Sequence, residues 1–395
     1  MAVTRLAVAL LLVSLSSFAQ VDPQRLARIP ERMQEFVDAK TAAGFVTLVA
    51  HRGEIVQISA TGLQVIESNT KMRTDSIFQI ASMTKPITAA AIMLLADEGR
   101  LSVADPVEKH LPEFRGQKMV RERHGDSTVL EAPPRKITLH DLLTHTSGMP
   151  GGFAVGLAEI FVDRDRTLAE AVAVYSQQPL SFEPGARWQY SNMGIATLGR
   201  IIEVVSGMPY QDFLAKRIFQ PLGMVDSFFF PPKEKYDRIA AIYDAKDGRL
   251  NRDPRDIFRA GAKYPAPEGG LYSTADDLYR FYQMMLNDGE GAGKRILSPS
   301  AVSVMTQLHT ADIEAGFAPG MGWGYGWSVV RNIEGTFRFN SIGTYGHGGA
   351  YRTYAFVDPH KELIGIILFQ RVAGGGDVAD EINAFIQMAN AAVIN

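Results

Sequence analysis

The 395-residue sequence contains no cysteine. It therefore has no disulfide, no thiol nucleophile, no thiolate ligand for a metal and no cysteine to carry a lipid. Charge of either sign is not in excess, since the formal net charge is only −3, which argues against a broad basic surface for nucleic acid or anionic lipid. The sequence also lacks a His-Glu-x-x-His zinc motif and a Gly-x-Ser-x-Gly nucleophile elbow. We expect no metal, no cofactor and no nucleic-acid partner.

Long hydrophobic runs are scarce, and the clearest one lies at the start of the chain. Residues 6–15 read LAVALLLVSL, which is too short to span a bilayer, with Arg5 before it and the small residues Ser17 and Ala19 after it. This three-part pattern is typical of a signal peptide. We expect cleavage after Ala19, a mature chain of residues 20–395 without a membrane span, and a periplasmic or secreted location.

Strand and helix signals divide the mature chain into three parts. A helix is predicted from the spacing of apolar residues after position 22, with Gly44 closing it, and the segment 45–62 (FVTLVAHRGEIVQISATG) predicts a hairpin through Arg52-Gly53. Helices and long polar loops, among them VRERHGDSTVLEAPPRK and HTSGMPGGFAVG, are predicted from Ser82 to about residue 290. Strand signals return in WGYGWSVVR, GTFRFN, YRTYAFVDP and ELIGIILFQRV, before a final helix from about Asp377. We expect one sheet built from both ends of the chain, with a cleft against the helical part.

A serine and a lysine open the long apolar segment 77–101, IFQIASMTKPITAAAIMLLADEGRL. On a helix, Ser82 and Lys85 share a face, so a buried lysine with a lowered pKa can serve as the base that a serine nucleophile needs. Pro86 is tolerated only near a helix start, which places Ser82 close to the N-terminus. The alternative is a capping serine with an extended lysine. The same spacing recurs at Ser68 and Lys71 in a polar stretch, where we interpret it as a plain turn.

Two downstream segments offer partners for Ser82. Tyr190 and Asn192 form the only Tyr-x-Asn of the sequence; a phenol beside a cationic lysine can lose its proton, and the amide can bond Lys85 or a substrate. The alternative is a packing aromatic and an asparagine that caps the next helix. A third segment places His347, Gly348, Gly349 and Ala350 at a strand entry, where the Ala350 N–H can join that of Ser82 as an oxyanion hole. The alternative there is a glycine-rich strand end with a surface histidine.

Together these segments resemble the serine β-lactamase and penicillin-binding-protein superfamily, in its class C branch, which also holds family VIII carboxylesterases and D-alanyl-D-alanine peptidases. The matches are Ser82-Met-Thr-Lys85, Tyr190-Ser-Asn192 and His347-Gly-Gly349, in the family's order. The resemblance implies an α/β (α+β) fold with an antiparallel sheet flanked by the terminal helices. It implies one catalytic domain over residues 20–395, with an α/β part at about 24–80 and 295–395 and a helical part at about 81–294.

The resemblance also implies roles for the site residues. Ser82 is the acylated nucleophile, Lys85 and Tyr190 share the acid and base roles, and Asn192 orients the substrate. Where a β-lactamase has Lys-Thr-Gly, this sequence has His347-Gly-Gly, which favours ester hydrolysis over strong β-lactamase activity because a histidine is mostly neutral at pH 7.

Three functions remain open from the sequence. The first is a secreted serine hydrolase that acts on small carboxylic esters. The second is a D-amino-acid-specific peptidase or weak β-lactamase with the same residues, and the third is a non-catalytic binding protein for cell-wall peptides on the same fold. Substrate identity and oligomeric state are not determined by the sequence.

Overall fold

A computed structural model of the chain describes residues 20–125, 127–152, 159, 164–246, 248–253, 261–372 and 380–394. The predicted signal peptide, residues 1–19, and the predicted helix start near Asp377 lie outside these ranges. Within the described ranges, no helix has both the length and the apolar character that crossing a membrane requires.

Most strands of the described chain are short and antiparallel to their neighbours. In chain order they are β1 (Gln20–Val21), β2 (Gly44–His51), β3 (Glu54–Val65), β4 (Thr70–Lys71), β5 (Phe78–Gln79), β6 (Met119–His124), β7 (Ser127–Glu131), β8 (Tyr243–Lys246), β9 (Arg249–Arg252), β10 (Tyr272–Ser273), β11 (Glu290–Gly291), β12 (Lys294–Arg295), β13 (Met321–Trp323), β14 (Ser328–Val330), β15 (Tyr345–Gly348), β16 (Tyr354–Asp358), β17 (Leu363–Leu368) and β18 (Val393–Ile394).

The α-helices lie mainly between the two groups of longer strands. They are α1 (Pro23–Asp38), α2 (Thr84–Asp97), α3 (Val107–His110), α4 (Leu139–Leu143), α5 (Leu168–Tyr175), α6 (Asn192–Ser206), α7 (Tyr210–Leu214), α8 (Gln220–Leu222), α9 (Ala275–Leu286), α10 (Pro299–Thr306) and α11 (Asp380–Ala391). A π-helical turn, Ala215–Phe219, joins α7 to α8, and 3₁₀ turns occur at Ala81–Met83, Pro112–Phe114, Lys233–Arg238 and Ile333–Thr336.

One antiparallel eight-stranded sheet unites the two ends of the chain, as the sequence predicted. Its strand order is β13-β14-β15-β16-β17-β2-β3-β4, and the two ends meet where β17 pairs with β2, with Ile366 opposite Leu48. The predicted hairpin is confirmed by the pairing of β2 with β3. Its turn residues Arg52 and Gly53 have φ angles of 53° and 81°, the left-handed values of a tight hairpin turn.

The terminal helices cover one face of this sheet. Residues of α1 and α11, including Ile29, Met33 and Phe385, form one apolar cluster with Phe45 and Ile367 of the sheet. A larger cluster on the other face contains residues of α2, α6 and α9. The central strands β2 and β17 are therefore buried along their whole length between two helical layers.

Three local expectations from the sequence were wrong. Helix α1 ends at Asp38, and Gly44 belongs to β2, where a Cβ would lie 2.6 Å from the Thr61 carbonyl oxygen. The segment GTFRFN is not a strand: β14 pairs directly with β15, and the two phenylalanines face solvent, being 51% and 58% exposed. Segment 120–131 is the hairpin of β6 and β7 rather than a loop, although most of its side chains are exposed as expected.

Candidate active site

Ser82 lies in the 3₁₀ turn Ala81–Met83, which runs directly into α2. The turn is held from two sides: the Thr84 hydroxyl donates to the Ala81 carbonyl oxygen at 2.7 Å and accepts from the Leu271 N–H at 3.2 Å. Ala81 has a φ of 46°, a left-handed conformation that a residue with a side chain adopts only under constraint. The surrounding structure thus fixes a strained turn immediately before Ser82, at the N-terminal end of a helix, as predicted.

Lys85 lies one turn further along and is fully buried. Its Nζ is 2.9 Å from the Ser82 Oγ and 2.6 Å from the main-chain oxygen of Glu268. Burial lowers the pKa of Lys85 to about 7, although the negative charge of Glu268 opposes this shift. A substantial fraction of the amine is therefore neutral near pH 7, and a neutral amine in hydrogen-bond contact with a hydroxyl can accept its proton.

Tyr190 packs over the lysine, with the Lys85 Nζ 4.7 Å from the centroid of its ring. Burial raises the pKa of the Tyr190 phenol, and a hydrogen bond with Ser82 offsets only part of this effect. This shift is opposite to the prediction from the sequence, in which the cationic Lys85 lowers the pKa of Tyr190. The phenol therefore keeps its proton at neutral pH and is available as a donor.

His145, which the sequence analysis did not select, fixes the segment that carries Tyr190. The His145 Nδ1 accepts from the Ser191 N–H at 3.1 Å, and its carbonyl oxygen accepts from the Gln189 N–H at 2.9 Å. Its ring centroid lies 4.5 Å from that of Tyr190. The sequence placed His145 at the start of the predicted loop HTSGMPGGFAVG, and no spacing there predicted this contact.

Asn192 is the first residue of α6 and is half-buried. The helix is capped by Ser191, whose hydroxyl accepts from the Gly194 N–H at 3.2 Å, so Asn192 is not the capping residue. The expected hydrogen bond between Asn192 and Lys85 is not among those formed in the described ranges, where the lysine amine contacts Ser82 and Glu268. The Asn192 amide is not used by any of the hydrogen bonds found in the described ranges.

His347 lies in β15 and is only 3% exposed, so it is not the surface histidine considered as an alternative. Its Nδ1 donates to the Gly348 carbonyl oxygen at 2.7 Å, which leaves Nε2 as an acceptor, 3.5 Å from the Tyr190 hydroxyl. Burial and the nearby charge of Lys85 lower the pKa of His347 to about 3. The imidazole is therefore neutral at pH 7 and presents no positive charge to a substrate.

The end of β15 lies against the backbone that precedes Ser82. A Cβ on Gly349 would lie 2.3 Å from the Ile80 carbonyl oxygen and 2.2 Å from the Thr353 Oγ1, so only glycine permits this approach. A Cβ on Gly348 would meet the Tyr354 ring at 3.3 Å, a much milder contact. Ala350 follows on the exposed side. The structure thus brings the His347-Gly-Gly segment next to the Ser82 turn, as the sequence predicted.

Aromatic side chains surround Tyr190 on its outer side. The Phe317 ring lies 5.1 Å from that of Tyr190 and 5.4 Å from that of Trp188, and Trp323 lies 5.9 Å from Tyr190. Phe317 is 72% exposed, so part of this aromatic wall, formed by Trp188, Phe317 and Trp323, is open to solvent. An exposed aromatic surface next to a hydrogen-bonding centre is typical of a binding site for an apolar group.

Comparisons with known proteins give the family and the fold of this chain. The sequence matches the family described as Beta-lactamase over residues 29–387. It is 30% identical to esterase EstB of Burkholderia gladioli, over 84% of this chain and 87% of that protein, and 30% identical to penicillin-binding protein 4 of Amycolatopsis lactamdurans, over 74% and 70%. The structure of EstCE1, a hydrolase with promiscuous acyltransferase activity, has the same fold, with a TM-score of 0.79 at 24% identity over 93% of this chain and 99% of that one. The chain belongs to the Beta-lactamase family.

Proposed function

We propose that this protein is an exported serine hydrolase that forms and hydrolyses an acyl-serine at Ser82, and that its preferred substrates are small carboxylic esters. One observation carries the proposal: a buried lysine amine, with a pKa lowered to about 7, lies 2.9 Å from the Ser82 Oγ. A serine hydroxyl is a weak nucleophile by itself, and a base in direct contact removes that limitation.

The reaction follows from the positions of the donors and acceptors. Neutral Lys85 accepts the Ser82 proton while Oγ attacks the ester carbonyl carbon, and the N–H groups of Ser82 and Ala350 stabilise the oxyanion. The protonated phenol of Tyr190 then gives its proton to the departing alkoxide, and the proton held by Lys85 restores the phenol. Water repeats these steps on the acyl-serine, which releases the carboxylic acid and free Ser82. Because Tyr190 keeps its proton at neutral pH, we assign the first base role to Lys85.

The charge of the cleft favours esters. A β-lactam and a D-alanyl-D-alanine terminus each carry a carboxylate, and the neutral His347 offers it no positive charge. The aromatic wall beside Tyr190 suits an apolar ester group instead. The similarity to esterase EstB supports the same choice.

The second candidate is a D-alanyl-D-alanine carboxypeptidase, a D-aminopeptidase or a weak β-lactamase. It uses the same Ser82, Lys85 and Tyr190, and the similarity to penicillin-binding protein 4 of Amycolatopsis lactamdurans favours it. A non-catalytic binding protein for cell-wall peptides is the candidate from another class. It has no need of a neutral amine in contact with a serine hydroxyl, so the Ser82–Lys85 geometry disfavours it.

A side-by-side assay separates these candidates. Purified mature protein is given a chromogenic short-chain ester, a chromogenic cephalosporin and a D-alanyl-D-alanine peptide. We expect turnover of the ester to exceed that of the other two, and Ser82→Ala to abolish it. The matched control is Ser68→Ala, which removes the serine of the other Ser-x-x-Lys sequence, where the exposed Ser68 hydroxyl forms a hydrogen bond with that of Thr70. Ester turnover that survives Ser82→Ala rules out the proposal, and preferred turnover of the peptide or cephalosporin replaces it with the second candidate.

A further inference from the structure

A buried carboxylate lies behind Lys85 and has no part in the reaction described above. Glu268 is 2% exposed. Its main-chain oxygen accepts the Lys85 amine at 2.6 Å, and its side chain accepts from the Tyr264 hydroxyl at 2.9 Å through Oε1. Its second oxygen, Oε2, is buried and has no hydrogen-bond partner among the described residues. Half of this carboxyl group is therefore left without a partner in the protein interior, which is a costly arrangement.

The groups that face this pair are few and mostly neutral. Burial raises the pKa of Glu268, and the charges of Lys85 and Arg164 oppose this rise and favour the ionised carboxylate. The buried phenols of Tyr264, Tyr175 and Tyr210 also face the carboxyl group; burial and the charge of Glu268 raise the pKa of all three, so that they are neutral. The Tyr190 ring lies next to the Lys85 amine. Burial and the charge of Lys85 lower the pKa of His145 and of His347, so that both imidazoles are neutral. The charge of Glu268 is thus the negative charge that acts on Lys85.

We propose that Glu268 is a positioning residue for Lys85: its carbonyl oxygen directs the amine at Ser82, and its carboxylate strengthens that amine as a base. The inference rests on the proposed role of Lys85 as the base for Ser82. The physical reason is that burial alone weakens a lysine as a proton acceptor, because the ammonium form loses its hydration. A negative charge in the same low-dielectric region restores part of that loss, and it does so without taking up the amine hydrogen bond to Ser82.

A merely structural role would have a different signature. Glu268 lies in the tight turn in which the Gly269 and Gly270 N–H groups both donate to the Ala266 carbonyl oxygen. If the side chain served only to stabilise this turn, its loss would lower the free energy of unfolding and the maximal rate, and the pH at which the site becomes active would stay the same.

The test uses Glu268→Gln, which keeps the carbonyl and the shape of the side chain but removes the charge. The rate at which a fluorophosphonate labels Ser82 is followed by intact mass from about pH 5 to about pH 9, which measures activation of the serine without a substrate. We expect the acid limb of the rate to move to lower pH by about one unit, because loss of the negative charge makes the ammonium easier to deprotonate. The plateau rate falls as well, because the amine is a weaker base.

Two further variants make the result decisive. Glu381→Gln is the matched control: Glu381 is also 2% exposed and also has one unpartnered carboxylate oxygen, but it pairs with Arg371 on the terminal-helix side of the sheet. We expect its acid limb to coincide with that of the wild type. Tyr264→Phe removes the hydrogen bond to Oε1 and disfavours the ionised carboxyl, so its limb moves in the same direction as in Glu268→Gln but less.

The outcomes separate the inference from the proposed function. An acid limb of Glu268→Gln that coincides with the wild type overturns the inference, as does an equal shift in Glu381→Gln. If Glu268→Gln does not fold, an unshifted limb in Tyr264→Phe overturns it. If the limb moves as expected and no ester is hydrolysed, the inference stands and the esterase assignment fails. If Ser82 is not labelled by the wild type at any pH, both fail.

Discussion

Gly349→Ala is the substitution whose effect follows most directly from the geometry of the site. The added Cβ would lie 2.3 Å from the Ile80 carbonyl oxygen and 2.2 Å from the Thr353 Oγ1. These two atoms are themselves joined, because the Thr353 hydroxyl donates to the Ile80 oxygen at 3.0 Å. Thr353 directly precedes β16, and Ile80 directly precedes the turn that contains Ser82. A movement of either atom would therefore weaken the contact between β16 and this turn. The strand end must therefore shift away from Ser82 by about 1 Å to reach an ordinary van der Waals distance.

The size of the effect can be worked from that shift. A displacement of about 1 Å between a nucleophile and the donors that stabilise its transition state costs on the order of 100-fold in rate. The same overpacking destabilises the fold by about 1–3 kcal/mol. Gly348→Ala is the control, since its Cβ meets only the edge of the Tyr354 ring, at 3.3 Å. We expect a loss for Gly348→Ala at least ten times smaller than for Gly349→Ala.

The assay compares the two variants with wild type in kcat/KM for a short-chain ester, in the rate of fluorophosphonate labelling and in urea denaturation. We expect Gly349→Ala to lose about two orders of magnitude in both rates while remaining folded. Equal losses for the two glycines, or wild-type rates in Gly349→Ala, would show that the end of β15 does not supply the oxyanion donors. That result would refute the assignment of Ala350.

Other predictions follow from the charges and contacts of the same site. Because the Lys85 pKa is lowered to about 7, wild-type kcat/KM should rise with pH through that value. Lys85→Arg, whose guanidinium cannot lose its proton, should lower kcat/KM by about 10²–10⁴-fold across the pH range. A wild-type profile that is flat near pH 7 argues against Lys85 as the base. Phe317→Ala should lower the ratio of kcat/KM for naphthyl acetate to kcat/KM for ethyl acetate by about 10-fold, because an aromatic contact contributes about 0.5–1.5 kcal/mol. The control is Phe337→Ala, at an exposed phenylalanine that packs against Arg338. Equal ratios in both variants refute a role for the aromatic wall. The folded-state pKa of His347 is about 3, below its unfolded value of 6.5. The free energy of unfolding therefore decreases as pH falls below 6.5, by about 2 kcal/mol at pH 5. Urea denaturation at pH 7 and pH 5 should show a smaller decrease for His347→Gln than for the wild type, and an equal decrease contradicts the buried neutral state.

The sequence predicted the parts of this protein that depend on local patterns. Apolar spacing located α1, and alternating strand residues around Arg52-Gly53 located the first hairpin, because periodicity and turn chemistry are properties of adjacent residues. Pro86 located the start of the helix that follows Ser82 for the same reason. Strand signals at both ends of the chain predicted a single sheet because that is the simplest arrangement, and the pairing of β17 with β2 confirmed it.

Contacts between distant segments were not predictable. The His145 ring accepts a hydrogen bond from a backbone N–H 46 positions away, and the main-chain oxygen of Glu268 is 183 positions from Lys85. Because motif spacing relates only nearby residues, it predicts neither contact. The sequence predicted a lowered pKa for Tyr190, whereas burial raises it. Burial depends on the packing of the whole cleft, which local sequence patterns do not describe. The segment GTFRFN has strand-forming residues, but it cannot pair with the preceding strand β14, because β13 and β15 already occupy both sides of β14.

The identity of the nucleophile can be measured without knowing the natural substrate. The mature protein is treated with a fluorophosphonate, its intact mass is recorded, and the modified peptide is mapped, with Ser82→Ala and Ser68→Ala treated in parallel. We predict one adduct per chain, located on Ser82, absent from Ser82→Ala and retained in Ser68→Ala. An adduct on another residue, or none under conditions in which a known serine hydrolase is fully labelled, would contradict acyl-serine catalysis at Ser82.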